Sequence, residues 1–126
     1  VGLKMVMVNG DFAKKHYSEH VEKKFYKVLE DFLIEGPVVA LVVEGVSAVE
    51  VVRKIVGSTE PKQAMPGTIR GDFAHHSYAY ADARGSAVRN LIHASDSEES
   101  AKKEIALWFE DKEIHSYKTV HEMHVF

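Results

Sequence analysis

Short apolar runs along the chain predict β-strands. Three of them cover residues 1–8, 38–43 and 88–92 and are rich in valine, leucine and isoleucine. The run at 38–43 has no polar interruption, which is typical of a strand buried on both faces of a sheet. A weaker strand signal lies at the end of the polar tail 111–126. The apolar runs alternate with helical segments, so strands and helices should pack in layers.

Four segments predict amphipathic helices, because they combine apolar spacing with capping residues. They are residues 12–20, 23–34, 48–56 and 98–109. Ser47 and Glu50 have the spacing of a capping box at the start of the third helix, and Ser97 is the expected cap of the fourth.

Two stretches show no clear periodicity and predict loops. Residues 65–73 contain a proline and two glycines, and residues 74–87 are polar and aromatic. Residues 60–64 predict one short helical turn. No repeat or linker divides the chain, so we expect a single α+β domain over residues 1–126.

Composition limits the possible classes of function. A chain of 126 residues with 45% hydrophobic content suits one domain with one core. The net charge of −3 provides no basic field for nucleic acid or an anionic membrane. There is no cysteine, which rules out disulfides within the chain and fits a reducing cytoplasm. No apolar run approaches the roughly 20 residues of a membrane span.

The segment 89–97, Arg-Asn-Leu-Ile-His-Ala-Ser-Asp-Ser, is the main candidate for chemistry. His93 should lie at the end of a strand and face the start of the next helix, where free N–H groups and the helix dipole favour phosphate. A neutral imidazole, with an unperturbed pKa of about 6.5, can attack a phosphoryl group. Glu104 could orient the ring. A lone histidine at such a place is more often structural, so the flanking residues decide for the catalytic interpretation.

These flanking residues carry a resemblance to a known family. Residues 90–97 resemble the active-site signature of the nucleoside diphosphate kinases, and the stretches 36–40, 66–73 and 99–109 resemble further parts of the same pattern. The resemblance covers nearly the whole chain except 74–87, which is similar to an insertion in some archaeal members. It implies a ferredoxin-like α+β sandwich with an antiparallel sheet covered by helices. It also implies transfer of the terminal phosphoryl group from a nucleoside triphosphate to a diphosphate through phosphohistidine at His93.

The resemblance implies a role for each residue that falls on a family motif. Catalytic roles fall on four residues: His93, Glu104, Ser95 and Tyr17. Nucleotide-binding roles fall on six: Phe25 and Leu29 at the base, Arg53, Thr59 and Arg70 at the phosphates, and Asn90 at the ribose. Since stacking accepts any base, broad base tolerance follows.

The residues alone leave ordinary alternatives open for several of these positions. An aromatic side chain at helical spacing, such as Phe25, is more often part of a core. Arg53 could equally lie on a solvated helix face, and Asn90 is more often a turn or a cap. Thr59 and Thr68 are turn-forming by default. Arg70 lies between glycines, where we expect no buried structural role.

Magnesium is the implied cofactor, bridging the nucleotide phosphates with few or no direct protein ligands. This fits a chain without a compact carboxylate cluster. His16 and His20 have the i, i+4 spacing of metal ligands on a helix, but without an evident third ligand we expect solvated histidines and no protein metal site. The implied partners are ATP and other nucleoside di- and triphosphates, without nucleic acid or membrane. A cytoplasmic homo-oligomer, in hexameric form, is expected.

The family pattern also contains a strand with a nucleotide-contacting lysine and a helix, and Val1 to Lys4 resembles the segment after both. We therefore expect an N-terminally incomplete domain. This leaves an alternative function, a truncated and non-catalytic nucleotide-binding or assembly module of the same fold.

Overall fold

A computed structural model describes residues 1–18 and 26–125, with the backbone alone described at Tyr26, Val28 and Leu29. The strands are β1 Gly2–Val6 and β2 Val38–Val42. The helices are α1 Gly10–His16, α2 Tyr26–Leu33, α3 Ala48–Val56, α4 Ile69–Phe73, α5 Tyr78–Arg84, α6 Glu98–Trp108 and α7 Glu122–Val125. Short 3₁₀ turns lie at Pro61–Gln63 and Asp111–Glu113.

The two strands pair antiparallel, in a register that runs from Gly2 opposite Val42 to Val6 opposite Val38. One face of the pair packs inward, where Val42 is buried and Gly2 lies against the buried ring of Phe109. On the other face, Leu3, Met5, Val39 and Leu41 are each more than half exposed. The prediction that 38–43 is buried on both faces is therefore wrong, because alternate side chains point to opposite faces and only one is covered within the described residues.

Local capping explains where the predictions for helix starts succeeded and where they failed. Helix α3 has the predicted bounds, but Ser47 adopts a left-handed backbone (φ 50°) and its side chain makes no capping bond, so the capping box is wrong. At α6 the Ser97 side chain accepts a hydrogen bond from the backbone N–H of Ser100, as predicted. The single turn expected near residues 60–64 is also present.

Both predicted loops contain helices. Helix α4 begins at a cap formed by Thr68, whose hydroxyl accepts from the N–H of Gly71 at 3.0 Å. Gly71 sits so close to the carbonyl of Met65 that an added Cβ would lie 2.0 Å from the oxygen, so this glycine serves tight packing inside a helix. In 74–87, Ser77 caps α5 and Gly85 ends it with φ 60°. Start and stop signals were present there, but the apolar spacing between them was too weak to indicate a helix.

Residues 88–92 do not form a strand. Leu91 has φ 70°, and the N–H of Ile92 donates to the carbonyl of Asn90 at 2.8 Å, which makes a tight three-residue turn. The left-handed backbone at Leu91 breaks the extended conformation that a strand needs for pairing. The Arg70 side chain also binds the carbonyls of Asn90 and Ile92, which a neighbouring strand would have used. The strand signal near the chain end is also wrong, since Glu122–Val125 is helical.

Candidate active site

His93 is paired with Glu104 through one ring nitrogen. Nε2 of His93 contacts Oε1 of Glu104, which projects from the second turn of α6. The expectation that His93 follows a strand and faces the helix start is therefore wrong, because the loop delivers the ring to the middle of α6. The His93 side chain is 59% exposed, so a ligand can reach it, while Glu104 is only 21% exposed.

The carboxylate of Glu104 is held in its charged form. Burial by itself would raise the pKa of Glu104, but hydrogen bonds from His93 and Ser95 and the electrostatic effect of the nearby imidazoles outweigh burial and lower it. A carboxylate only accepts, so Nε2 of neutral His93 carries the ring proton and Nδ1 keeps a lone pair. Within the described residues, Nδ1 makes no hydrogen bond. The arrangement thus leaves a nucleophilic nitrogen at an exposed position.

Arg70 is buried, contrary to the expectation for its glycine-flanked position. It is 4% exposed, and its guanidinium donates to the carbonyl oxygens of Gly57 at 3.0 Å, Asn90 at 3.3 Å, and Ile92. Burial and the nearby Arg53 charge lower its pKa from the usual value of arginine. Three of its five N–H donors are thereby committed to backbone, which ties α4 to the loop that carries His93.

Arg53 extends this support along the same loop. Its Nη1 donates to the carbonyl of Ala94 at 3.1 Å, so guanidinium groups bind alternate carbonyls at residues 90, 92 and 94. The side chain of Asn90 donates to the carbonyl of Thr59 at 3.0 Å, while Thr59 itself is exposed. Helices α3 and α4 and the segment after α3 therefore hold the His93 loop, with two positive charges beside it.

The other predicted residues are only partly placed. Tyr17 follows α1, and burial raises the pKa of its hydroxyl, which stays protonated at neutral pH. Ser95 lies beside Glu104. Leu29 belongs to α2, but its side chain is outside the described part of the chain, as are Phe25 and His20 altogether. Thr68 is the cap of α4, in agreement with the turn-forming interpretation.

Two functional candidates were missed by sequence reasoning, His16 and Trp108. The indole Nε1 of Trp108 donates to Nδ1 of His16 at 3.0 Å, and the His16 ring lies 5.1 Å from that of His93. His16 is half-buried, so the expectation of a solvated histidine is wrong for this residue. Helical spacing links residues only within one helix, and nothing in the sequence indicated that α1 and α6 bring these rings together.

His16, His93 and Glu104 place potential ligand atoms within 4.8 Å of one another. Two nitrogens and one carboxylate do not suit Mg²⁺, which prefers oxygen ligands. A metal on Nε2 of His16 would require the proton on Nδ1, where the indole of Trp108 already donates. Nε2 of His93, Oε1 of Glu104 and Nδ1 of His16 are thus already engaged in hydrogen bonds.

Comparison with known proteins gives one consistent result. The family profile described as "Nucleoside diphosphate kinase" matches residues 1–114. A nucleoside diphosphate kinase of Pyrococcus abyssi is 51% identical over 117 residues, which cover 93% of this chain and 69% of that protein. A solved nucleoside diphosphate kinase of Borrelia burgdorferi, a transition-state mimic with bound vanadate and ADP, superposes with a TM-score of 0.93. The two sequences are 45% identical, and the superposition covers 99% of this chain and 77% of the Borrelia chain.

A halophilic enzyme from Halobacterium salinarum, solved in complex with CDP, superposes with a TM-score of 0.85 at 37% identity, over 100% of this chain and 78% of that one. The fold is thus the expected ferredoxin-like α+β sandwich. Fold and relatives define the class as a nucleotide phosphotransferase. The chain belongs to the nucleoside diphosphate kinase family, whose members move the terminal phosphoryl group of a triphosphate to a diphosphate.

Members of this family generally use a divalent cation together with the nucleotide. None of the helices in the described ranges combines the length and apolar character needed to cross a membrane.

Proposed function

We propose that Nδ1 of His93 is the nucleophile of a ping-pong reaction. Its lone pair attacks the terminal phosphorus of a nucleoside triphosphate, the bond to the bridging oxygen breaks, and the diphosphate leaves with the electron pair. A terminal oxygen of the acceptor diphosphate then attacks the phosphohistidine, and the nitrogen regains its lone pair. The observation that carries this proposal is the pairing of Nε2 with Glu104, which leaves Nδ1 as the reactive atom.

The arginines are proposed to act on the phosphates and on the loop together. Arg53 and Arg70 hold the backbone of residues 90–94, and the two Arg70 N–H groups that bind no carbonyl are proposed to donate to phosphate oxygens when the nucleotide binds. Preorganised positive charge beside the nucleophile favours the charge that develops in the transition state. The Tyr17 hydroxyl is proposed to donate to the transferring phosphoryl group, and Ser95 supports Glu104.

The nucleotide is proposed to bind with its base on Phe25 and Leu29, its ribose at Asn90 and its phosphates toward Thr59 and the arginines. Magnesium supplies charge neutralisation at those phosphates when it is bound. The two related structures hold an adenine and a cytosine nucleotide, which supports broad base tolerance. We also propose a homo-oligomer, expected to be a hexamer, in the cytoplasm, with the family resemblance as the support for both.

A coupled assay of diphosphate phosphorylation by ATP tests the activity of this chain and separates it from the alternative of a non-catalytic binding module. Turnover supports the kinase. Nucleotide binding without turnover and without phosphoenzyme would favour the module.

Glu104→Gln is expected to slow phosphoenzyme formation by about 10²-fold, because a misplaced reacting atom costs a rate factor of that order. The amide can accept from Nε2, but it can also present its NH₂ group and loses the charge that fixes the ring. Rapid-quench measurement with ATP gives the rate. Glu99→Gln on the exposed side of α6 is the matched control, and equal rates in both variants would contradict the orienting role of Glu104.

Phe25→Ala should weaken the binding of all nucleotides by similar factors, since stacking contributes about 1–3 kcal/mol per base whatever the base. Equilibrium binding of ADP, GDP and CDP measures this. A loss confined to one base would show that Phe25 is not a stacking surface.

A further inference from the structure

His16 has one defined tautomer, because its neighbour can only donate. The indole Nε1 of Trp108 lies 3.0 Å from Nδ1 of His16, and an indole N–H has no acceptor capacity. Nδ1 therefore carries a lone pair, and the neutral ring has its proton on Nε2. This contact joins the end of α1 to the end of α6.

Aromatic rings enclose His16 on three sides. It lies edge-to-face against Tyr17 at 4.7 Å, His93 at 5.1 Å and Trp108 at 5.4 Å between ring centroids. Trp108 is itself packed edge-to-face on Phe12 at 4.6 Å. The ring that touches the proposed nucleophile is thus held both by a hydrogen bond and by packing.

His16 is also kept uncharged. Burial, and after it the nearby His93, lower its pKa to about 4, while Glu104 acts in the opposite direction. Among the described residues, the titratable groups that face it are His93 from the loop, Glu104 from α6 and Tyr17 after α1, and the hydroxyl of Tyr17 is neutral. A second positive charge at this place would compete with His93 for the single carboxylate.

We propose that His16 is a positioning residue for phosphoryl transfer: Trp108 holds it as the Nε2–H tautomer, edge-to-face on His93, so that Glu104 remains the partner of His93 alone. This inference rests on the proposed role of His93 as nucleophile. Trp108 acts only through His16, and neither residue exchanges a proton or a bond with the substrate.

Direct observation of the tautomer is the first test. Two-bond ¹H–¹⁵N spectra of the full chain should show His16 with its proton on Nε2, and it should stay neutral on titration to pH 5. A proton on Nδ1, or a His16 that is charged at pH 6, would overturn the proposal without reference to activity.

Kinetics provide the second test, through the pH dependence of single-turnover phosphorylation by ATP. Trp108→Phe keeps a ring but removes the donor, so the pKa of His16 should rise by roughly one unit, the equivalent of one net hydrogen bond. At pH 5 a His16 pKa raised by roughly one unit from about 4 leaves only about half of the rings neutral, against about nine-tenths in the unsubstituted protein. Between pH 8 and pH 5 this variant should therefore lose about twofold more rate than the unsubstituted protein. The double variant with His16→Asn cannot be protonated there and should not show the additional acid loss.

The matched control is Phe12→Leu, which disturbs the packing on Trp108 but keeps the indole N–H. Its pH profile should run parallel to that of the unsubstituted protein. Parallel profiles for Trp108→Phe, or an acid loss that survives in the double variant, would reject the positioning role. If the unsubstituted protein takes up no phosphoryl group at all, the proposed function fails, and the positioning role falls with it. If it does take up the group and the profiles are parallel, the positioning role alone is rejected.

Discussion

His93→Ala is expected to abolish both the phosphoenzyme and turnover. Removal of a covalent nucleophile costs on the order of 10⁶ in kcat in other enzymes, because the remaining groups have no alternative way to accept the transferred group. With γ-labelled ATP, the unsubstituted protein should give a label that is lost in acid and stable in alkali, as expected for phosphohistidine. The variant should give no label.

His75→Ala is the matched control, since His75 is also an exposed histidine in a loop. It should be labelled like the unsubstituted protein. Retained turnover in His93→Ala would end the phosphohistidine mechanism for this chain. Nucleotide binding should survive in His93→Ala, because the proposed binding residues are unchanged, and a circular dichroism spectrum would show that the fold is intact.

Arg70→Ala should destabilise the protein by about 3–5 kcal/mol in the absence of any nucleotide, because three carbonyl oxygens lose a donor and each such loss costs about 1–3 kcal/mol. These oxygens are those of Gly57, Asn90 and Ile92, and water admitted to the space would recover part of the cost. Urea unfolding of the variant and the unsubstituted protein measures the difference. A net stability of about 5–15 kcal/mol leaves such a variant close to unfolding.

Arg53→Ala is the comparison, because the half-buried guanidinium of Arg53 donates to one carbonyl. Its loss should lower the free energy of unfolding by only about 1 kcal/mol. Phosphoenzyme formation should fall in both variants if both arginines act on the phosphates. Unchanged unfolding of Arg70→Ala would show that its hydrogen bonds to the loop contribute nothing to stability and that its role is confined to the nucleotide.

Arg70 also shows what a local sequence pattern can and cannot predict. Its glycine neighbours indicated an open loop, yet Gly71 is part of a helix packed against the Met65 carbonyl. A local pattern records which backbone conformations are allowed, and it contains no information on which distant carbonyls a side chain meets. The same holds for Leu91, where an apolar run indicated a strand and long-range contacts with Arg70 favour a tight turn instead.

The sequence by itself determined the family, the α+β class, the two strands and helices α3 and α6, because these depend on motifs, apolar spacing and local caps. It also singled out His93 and Glu104. Only the tertiary structure decided that Glu104 contacts Nε2 and that Trp108 sets the tautomer of His16. The physical reason is that these contacts join α1, α6 and the His93 loop across up to 92 residues of chain, and their geometry depends on packing that no local pattern encodes.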